Sequence, residues 1–536
     1  MCVDDAVLEK FVSENDSSFS LENVEMKTKE IILERCRRVL ESDSSSDLYI
    51  CLSCIRILTR DEISRKELTS DFFLSQLLKY AFPYGACSQC SRINIEALKS
   101  LSNIIFKETY VISRLKELGV VKKIVEGMKA LEQCSEKEQL LLCLKLAFLV
   151  TALDHSSRQE LIDFEALQLL LKVLQMKRSD ISDSLIVAEA LKTIYNILYS
   201  VRDDNDMTKL GDDIQNLVIL LKHLLKDSEK DNFDNHVLIS QIVNVLNIIP
   251  KVSYKYLLCD KVADEHCNDK SSEHSLSVSE TNEMDCIEIL VNFLHCQLKL
   301  DANKVSEATD DLRTDERICP ILNCLTRACK SNQQIRKFCR LKVLPYLGKD
   351  VTRLPEDGDS IRNHLCKLLT HPVQIVGESA ALFIFVLCKE NIGRAVKYTG
   401  FGNFAGFLAR HALLGKPSKV NRNSNSNALS DVEYSETSTE SETEEYKSLK
   451  DDVNPVTGRW EIPKSNPIEN MSDEQKEYLA MDLVQKIDKL ERSGLIQPGT
   501  IGEDGRVRPV QHVLELLQQT KEDNQKSDDS TEEVDK

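Results

Sequence analysis

Arg56 and Arg60, in "CIRILTRDE", stand one helical turn apart. Two guanidiniums so spaced on one wall can each offer paired N–H donors to the same carboxylate. The adjacent Asp61 and Glu62 are competing partners for them. Two cysteine pairs, Cys51/Cys54 and Cys87/Cys90, have metal-ligand spacing. Cys51 and Cys54, however, fall in an apolar helical stretch where a reduced cysteine acts as a small hydrophobe, so they read as core and no metal is expected. His266 and Cys267 lack further ligands nearby. Gly400, Gly402 and Gly406 follow G-x-G-x-x-x-G with no strand before them, which suits tight helix packing and not a phosphate loop. With no P-loop and no G-x-S-x-G, neither catalysis nor a cofactor is expected.

The elements that carry these residues repeat. "IEALKSLSNIIFK" (Ile95 to Lys107) returns as "AEALKTIYNILYS" (Ala188 to Ser200), and Leu52, Leu98, Leu144 and Leu191 follow one another at intervals of 46 or 47 residues. That is the period of armadillo and HEAT repeats. Looser echoes at 241–250, 320–331 and 380–391 extend it. The spacing predicts an all-α armadillo/HEAT-like solenoid superhelix over 1–414, interrupted by a polar insertion at 260–286.

Composition agrees. The 536 residues are 42% hydrophobic and 6% aromatic with 17 Gly and 12 Pro, which favours stacked helices over a many-stranded sandwich. A formal net charge of −18 argues against a general nucleic-acid surface. No long uninterrupted apolar run and no signal-peptide pattern is evident, so a cytoplasmic protein without membrane insertion is expected. The 18 cysteines suit a reducing compartment.

Each repeat helix carries two faces. In the second copy Ala97, Leu98, Leu101, Ile104 and Ile105 should be buried, while Glu96, Lys99, Asn103 and Phe106 share the other side. The fourth copy places Glu189, Lys192, Asn196 and Tyr199 there. The Glu and Lys read as solvated. Asn103, Phe106, Asn196 and Tyr199 read as the lining of a binding groove, because an exposed aromatic beside an Asn does nothing for packing. In that register Arg60 takes the place of Phe106 and Tyr199.

Beyond the repeats, 415–452 is rich in Ser, Asn and acid and reads as a disordered linker attractive to an acid-directed kinase. Arg336, Lys337, Arg340 and Lys342 are the basic residues that would dock its phosphates. Within 453–498, Ser472 and Gln475 make a capping-box pattern, Leu479, Leu483, Ile487 and Leu490 form an apolar stripe, and Gly494 ends a helix at about 473–493. Such a lone helix must dock on the solenoid or on a partner. Residues 499–536 end in an acidic tail.

The strings "FVLCKENIGRAVKYTGFGNFAGFLA", "EYSETSTESETEEYK", "NPVTGR" and "MSDEQKEYLAMDLVQKIDKLERSGLIQP", in this order, resemble the synembryn family, and "IRILTRDE" and "IRKFCRLKVLPYL" extend the likeness into the repeats. The resemblance implies a guanine-nucleotide exchange factor and folding chaperone for heterotrimeric G-protein α subunits, GDP-bound or nucleotide-free and not GTP-bound. It implies that the groove takes the C-terminal helix of the α subunit, with Arg56, Arg60 and Asn103 at matching positions. It also implies that the segment carrying Tyr478, Leu479, Leu483 and Ile487 wraps the partner, and that Ser435 and Ser441 are phosphorylated. Recruitment to the cell cortex or plasma membrane would come through the partner. The alternative is an armadillo-type scaffold binding extended peptides without exchange activity.

Overall fold

The computed structural model describes residues 3–42, 47–82, 91–131, 136–177, 183–201, 210–230, 236–258, 284–302, 311–414, 442–462, 471–497, 499–502 and 506–510. Cys87, Cys90, Ser435, Ser441 and nearly all of the 260–286 insertion lie outside them. The chain forms two compact units, 1–289 and 290–536.

Unit 1 opens with α1 (Val3–Asn15), α2 (Met26–Ser42) and α3 (Leu48–Leu58). Three triplets of short, middle and long helices follow: α4 (Glu62–Leu68), α5 (Asp71–Ala81) and α6 (Ser91–Lys107); α7 (Val111–Glu117), α8 (Val120–Leu131) and α9 (Lys137–Leu153); α10 (His155–Asp163), α11 (Ala166–Lys177) and α12 (Ser184–Ser200). Then come α13 (Gly211–Lys230) and α14 (His236–Ile248). Each long helix packs on the next, so α3, α6, α9, α12 and α14 form one row. The register leucines Leu52, Leu98, Leu144 and Leu191 are wholly buried in it, each contributing about 2 kcal/mol of transfer free energy. The residue before each is small and equally buried: Cys51, Ala97, Cys143 and Ala190. Small side chains there let neighbouring helices approach closely, and this explains why cysteines recur in the repeats. Cys51 and Cys54 lie beside Cys36, whose thiol is pushed up first by its bonds with those two and then by burial.

One corner design recurs where a long helix hands over to a short one. Asp61 accepts from the backbone N–H of Ser64, Asp154 from that of Ser157, and Asn332 from those of Gln334 and Ile335. Four residues after each cap an arginine turns back onto the preceding helix. Arg65 Nη1 donates to the Thr59 carbonyl at 2.9 Å, Arg158 Nε to the Thr151 carbonyl at 2.6 Å, and Arg336 Nη1 to the Cys329 carbonyl at 2.9 Å. The motif thus satisfies both orphan N–H groups of the new helix and an orphan carbonyl of the old one.

The unit boundary falls inside α15 (Asp285–Ala302). Unit 2 continues with α16 (Asp311–Ser331), α17 (Gln333–Val343), α18 (Ile361–Leu368), α19 (Gln374–Leu387), α20 (Ile392–Thr399), α21 (Phe401–Arg410) and the short α22 (Glu444–Lys447). α16 packs along α19, whose Phe383 and Phe385 are buried. A two-stranded hairpin of β1 (Val453–Asn454) and β2 (Arg459–Trp460) precedes α23 (Asp473–Arg492), and β3 (Gly499–Ile501) pairs with β4 (Val507–Pro509). Among the described residues no helix is long and apolar enough to cross a membrane.

Two of the three glycines expected to serve helix packing, Gly400 and Gly402, do something more specific. Phe401 and Gly402, at the start of α21, donate their N–H groups to the Pro455 and Val456 carbonyls, each at 2.9 Å. Gly400, at φ +76°, leaves room where a Cβ would stand 2.9 Å from the Thr457 carbonyl carbon and oxygen. The hairpin turn is therefore buckled, backbone against backbone, onto the end of the helical stack.

Candidate functional site

The exposed face of the long-helix row gathers most of the sequence-predicted residues in unit 1. Arg56 lies in the last turn of α3 and Arg60 just beyond it. They do not pair with Asp61 or Glu62, which take Lys29 and Lys66 instead. Arg56 bonds through Nε to Glu96 of α6 and through Nη2 to the Asp16 carboxylate in the loop after α1. Arg60 donates Nη1 to the carbonyls of Asn15 (3.0 Å) and Ser18, and Nη2 to that of Asp16 (3.0 Å), so it caps the C-terminus of α1. The pocket anticipated as open is thus already furnished by the chain's own N-terminal loop.

The electrostatics follow from these bonds. Burial alone would lower the Arg56 pKa, but its bonds to Glu96 and Asp16 outweigh that and raise it. The same bond from Arg56 holds the Asp16 carboxyl below its usual value. Arg60 is shifted down, first by burial and then by the charge of Arg56. Its backbone contacts are neutral, so it is the cation with the less compensated charge. Among the described residues, both Nη1 hydrogens of Arg56 and the Nε–H of Arg60 have no partner. These groups can donate to an incoming anion.

Along the same face, Phe106 is 66% exposed and Tyr199 is 48% exposed. The asparagines behave otherwise. Asn103 Nδ2 donates to Thr59 Oγ1 and Asn196 Nδ2 to Thr151 Oγ1, both at 3.0 Å, so each ties its helix to the previous long helix. Asn103 remains exposed, whereas Asn196 is buried and acts as a clamp between repeats. Glu96 and Glu189, expected in solvent, are buried; Glu96 anchors Arg56, and Glu189 pairs with Lys192 at 2.8 Å. The repeated "EALK" string held the signal, since a Glu recurring at one register marks an internal position.

In unit 2 the four basic residues expected to dock phosphates divide. Arg336 is buried as a corner arginine, which removes it from that role. Arg340 donates Nη2 to the Tyr398 hydroxyl at 2.6 Å, with its guanidinium 4.8 Å from the Tyr398 ring centre and 5.4 Å from that of Tyr346. Lys337 is half-buried, and Lys342 is exposed with its ammonium 5.7 Å over the Phe338 ring. The described end of the acidic segment instead meets a cation the sequence reading missed. Lys397 Nζ bonds Glu442 at 2.9 Å and sits 4.5 Å from the Tyr446 ring centre, and Lys450 approaches the same carboxylate. These bonds hold the Glu442 carboxyl below its usual value.

α23 forms as expected, one residue shorter at its C-terminus. The Ser472–Gln475 capping box is present, and none of its residues is buried. Tyr478 (75% exposed), Leu479, Leu483 and Leu490 leave an apolar stripe in solvent, with Ile487 half-covered.

A sequence model described as guanine nucleotide exchange factor synembryn matches residues 51–506. "Chaperone Ric-8A" of Xenopus tropicalis is 32% identical over 559 residues, covering 98% of this chain and 96% of its own. "Chaperone Ric-8" of Drosophila pseudoobscura pseudoobscura is 30% identical over 518 residues, covering 88% and 86%. Among solved structures, an engineered protein aligns with a TM-score of 0.45 at 15% identity, over 77% of this chain and 81% of that one.

Proposed function

From the premise that this chain belongs to the guanine nucleotide exchange factor synembryn family, we propose that it is an exchange factor and folding chaperone for heterotrimeric G-protein α subunits. It acts by differential binding, without catalytic residues or a cofactor. The partner's C-terminal helix lies along the exposed face of the long-helix row, against Phe106 and Tyr199 and within reach of Asn103. Its terminal carboxylate goes to Arg56 and Arg60. The observation that carries this reading is the convergence of two guanidiniums with uncommitted N–H donors, one of which already holds a carboxylate. The exposed stripe of α23, carrying Tyr478, Leu479 and Leu483, supports a second contact to the same partner, because a soluble helix leaves such a stripe uncovered only where something is to cover it.

The mechanism is linkage. If the nucleotide-free α subunit binds this chain more tightly than the GDP-bound form, reciprocity requires the chain to weaken GDP binding by the same factor. A hundredfold preference for the empty form corresponds to about 2.7 kcal/mol. GTP binding reverses the preference and ends the complex. Affinity for the open form also stabilises a nascent α subunit by mass action. Phosphorylation of Ser435 and Ser441 by an acid-directed kinase would add charge that Arg340, Lys342 and Lys397 can meet.

The test is GDP release from purified α subunits with the kinase-treated protein, beside an Arg56→Ala/Arg60→Ala variant. Acceleration that falls about tenfold or more in the variant is expected. Unchanged release with every α class would refute exchange and leave a peptide-binding scaffold.

A further inference from the structure

The loop after α1 does two things to the arginine pair at once. Its backbone carbonyls, from Asn15, Asp16 and Ser18, fix Arg60. Its Asp16 carboxylate lies on Arg56 Nη2. The two acids on Arg56 are not equivalent. Glu96 is only 8% exposed and holds Nε from inside the row, whereas the Asp16 side chain is 59% exposed and approaches from the solvent side. Glu96 cannot leave without stranding a buried charge. Asp16 can swing into water at little loss, since an exposed ion pair contributes little to stability. With Asp16 in place the two arginines face two carboxylates; with it withdrawn, they face one.

We propose that Asp16 is an intramolecular competitor for the carboxylate pocket, occupying the donor on Arg56 until a partner's carboxylate displaces it, while Arg60 keeps the loop beside the pocket for its return. This rests on the reading that Arg56 and Arg60 receive a terminal carboxylate. Asp16 thereby lowers the affinity for any single tail and speeds its release. A neutral tail gains nothing from the exchange, because it brings no charge to replace the one it displaces. Phe19, in the same loop and 97% exposed, lies three residues from the competing carboxylate, so the loop also presents apolar surface at the pocket's rim.

The experiment uses the full chain and fluorescently labelled peptides reproducing the C-terminal helices of G-protein α chains, one per α class, each made with a free C-terminal carboxylate and with a C-terminal amide. Affinities are read by anisotropy for the wild type, Asp16→Asn, Asp16→Glu and Arg56→Ala/Arg60→Ala, with thermal unfolding recorded for each. Expected is free-acid binding about five- to thirtyfold tighter in Asp16→Asn, the amide peptide unchanged, and Asp16→Glu near wild type because the charge is kept. If Asp16→Asn binds the free acid no better than wild type, while the double arginine variant loses it, the competitor is overturned and the pocket stands. Equal tightening in Asp16→Glu also overturns it, since the effect would then be one of loop disturbance. If the free acid and the amide bind alike and the double arginine variant matches wild type, the pocket itself falls, and the competitor with it.

Discussion

Arg65→Ala should damage the first repeat corner far more than an ordinary surface change. The Arg65 side chain is 10% exposed and pairs through Nε with Glu108 Oε1 at 2.8 Å, itself 12% exposed, while Nη1 caps Thr59 at 2.9 Å. Truncation leaves a largely buried carboxylate without its counter-charge and a helix carbonyl without its donor. Breaking a fully buried pair costs about 3–5 kcal/mol, and the residual exposure of both partners brings the expected loss to about 2–4 kcal/mol. Because a chain of two units need not unfold in one step, the loss is best read locally, by amide hydrogen exchange over residues 59–68. Protection there should fall roughly thirty- to a thousandfold. Thr59 also accepts from Asn103, so the slackening should reach α6. Removing the stranded charge in Arg65→Ala/Glu108→Ala should restore about 1–2 kcal/mol relative to the single variant. Protection within threefold of wild type in Arg65→Ala, or a double variant as damaged as the sum of the two singles, would refute the corner reasoning.

Two further outcomes are expected. Asp154 is held down to about 2: burial raises its pKa, but bonds from Ser157, Ser156 and Lys116 outweigh burial. Its folded value lies below its ordinary one, so its contribution, at most about 2 kcal/mol, is complete above pH 4 and is lost as the pH falls toward 2. Acid unfolding followed by circular dichroism should show a slope in that window that Asp154→Asn lacks. Gly400→Ala should loosen the buckle, since a Cβ meets Thr457 at 2.9 Å in a left-handed backbone. Limited proteolysis should then cut within 442–461 several times faster than in wild type, and an unchanged rate would argue that the hairpin holds by its other contacts.

Much of the repeat could be read in advance because a helix's own periodicity exposes which face it buries, and Leu52, Leu98, Leu144 and Leu191 sit where that rule puts them. The α23 capping box was equally legible, being a purely local motif. What escaped the sequence reading depends on partners one repeat away. Asn196 finds Thr151 across 45 residues, and Arg56 finds Asp16 and Glu96 across 40 in each direction. Single-helix periodicity carries no information about such pairs. Arg336 was misassigned for a different reason: one copy of "NQQIR" looks like a basic patch, and only its alignment with "DEISR" and "DHSSR" exposes it as a structural corner.

The buckle at Gly400 shortens a leash. Were the chain held only by the contacts of Glu442 with Lys397 and Lys450, 21 peptide steps from Lys450 to Met471 would allow α23 to stand up to about 74 Å away, at roughly 3.5 Å per residue. Held at 454–461, the leash runs only from Ile462 to Met471, nine steps and at most about 32 Å. Accessible volume scales with the cube of that radius, so the local concentration of the α23 stripe around its anchor rises by up to about thirteenfold. A helix with no buried residue of its own is thereby kept close to the end of the helical stack.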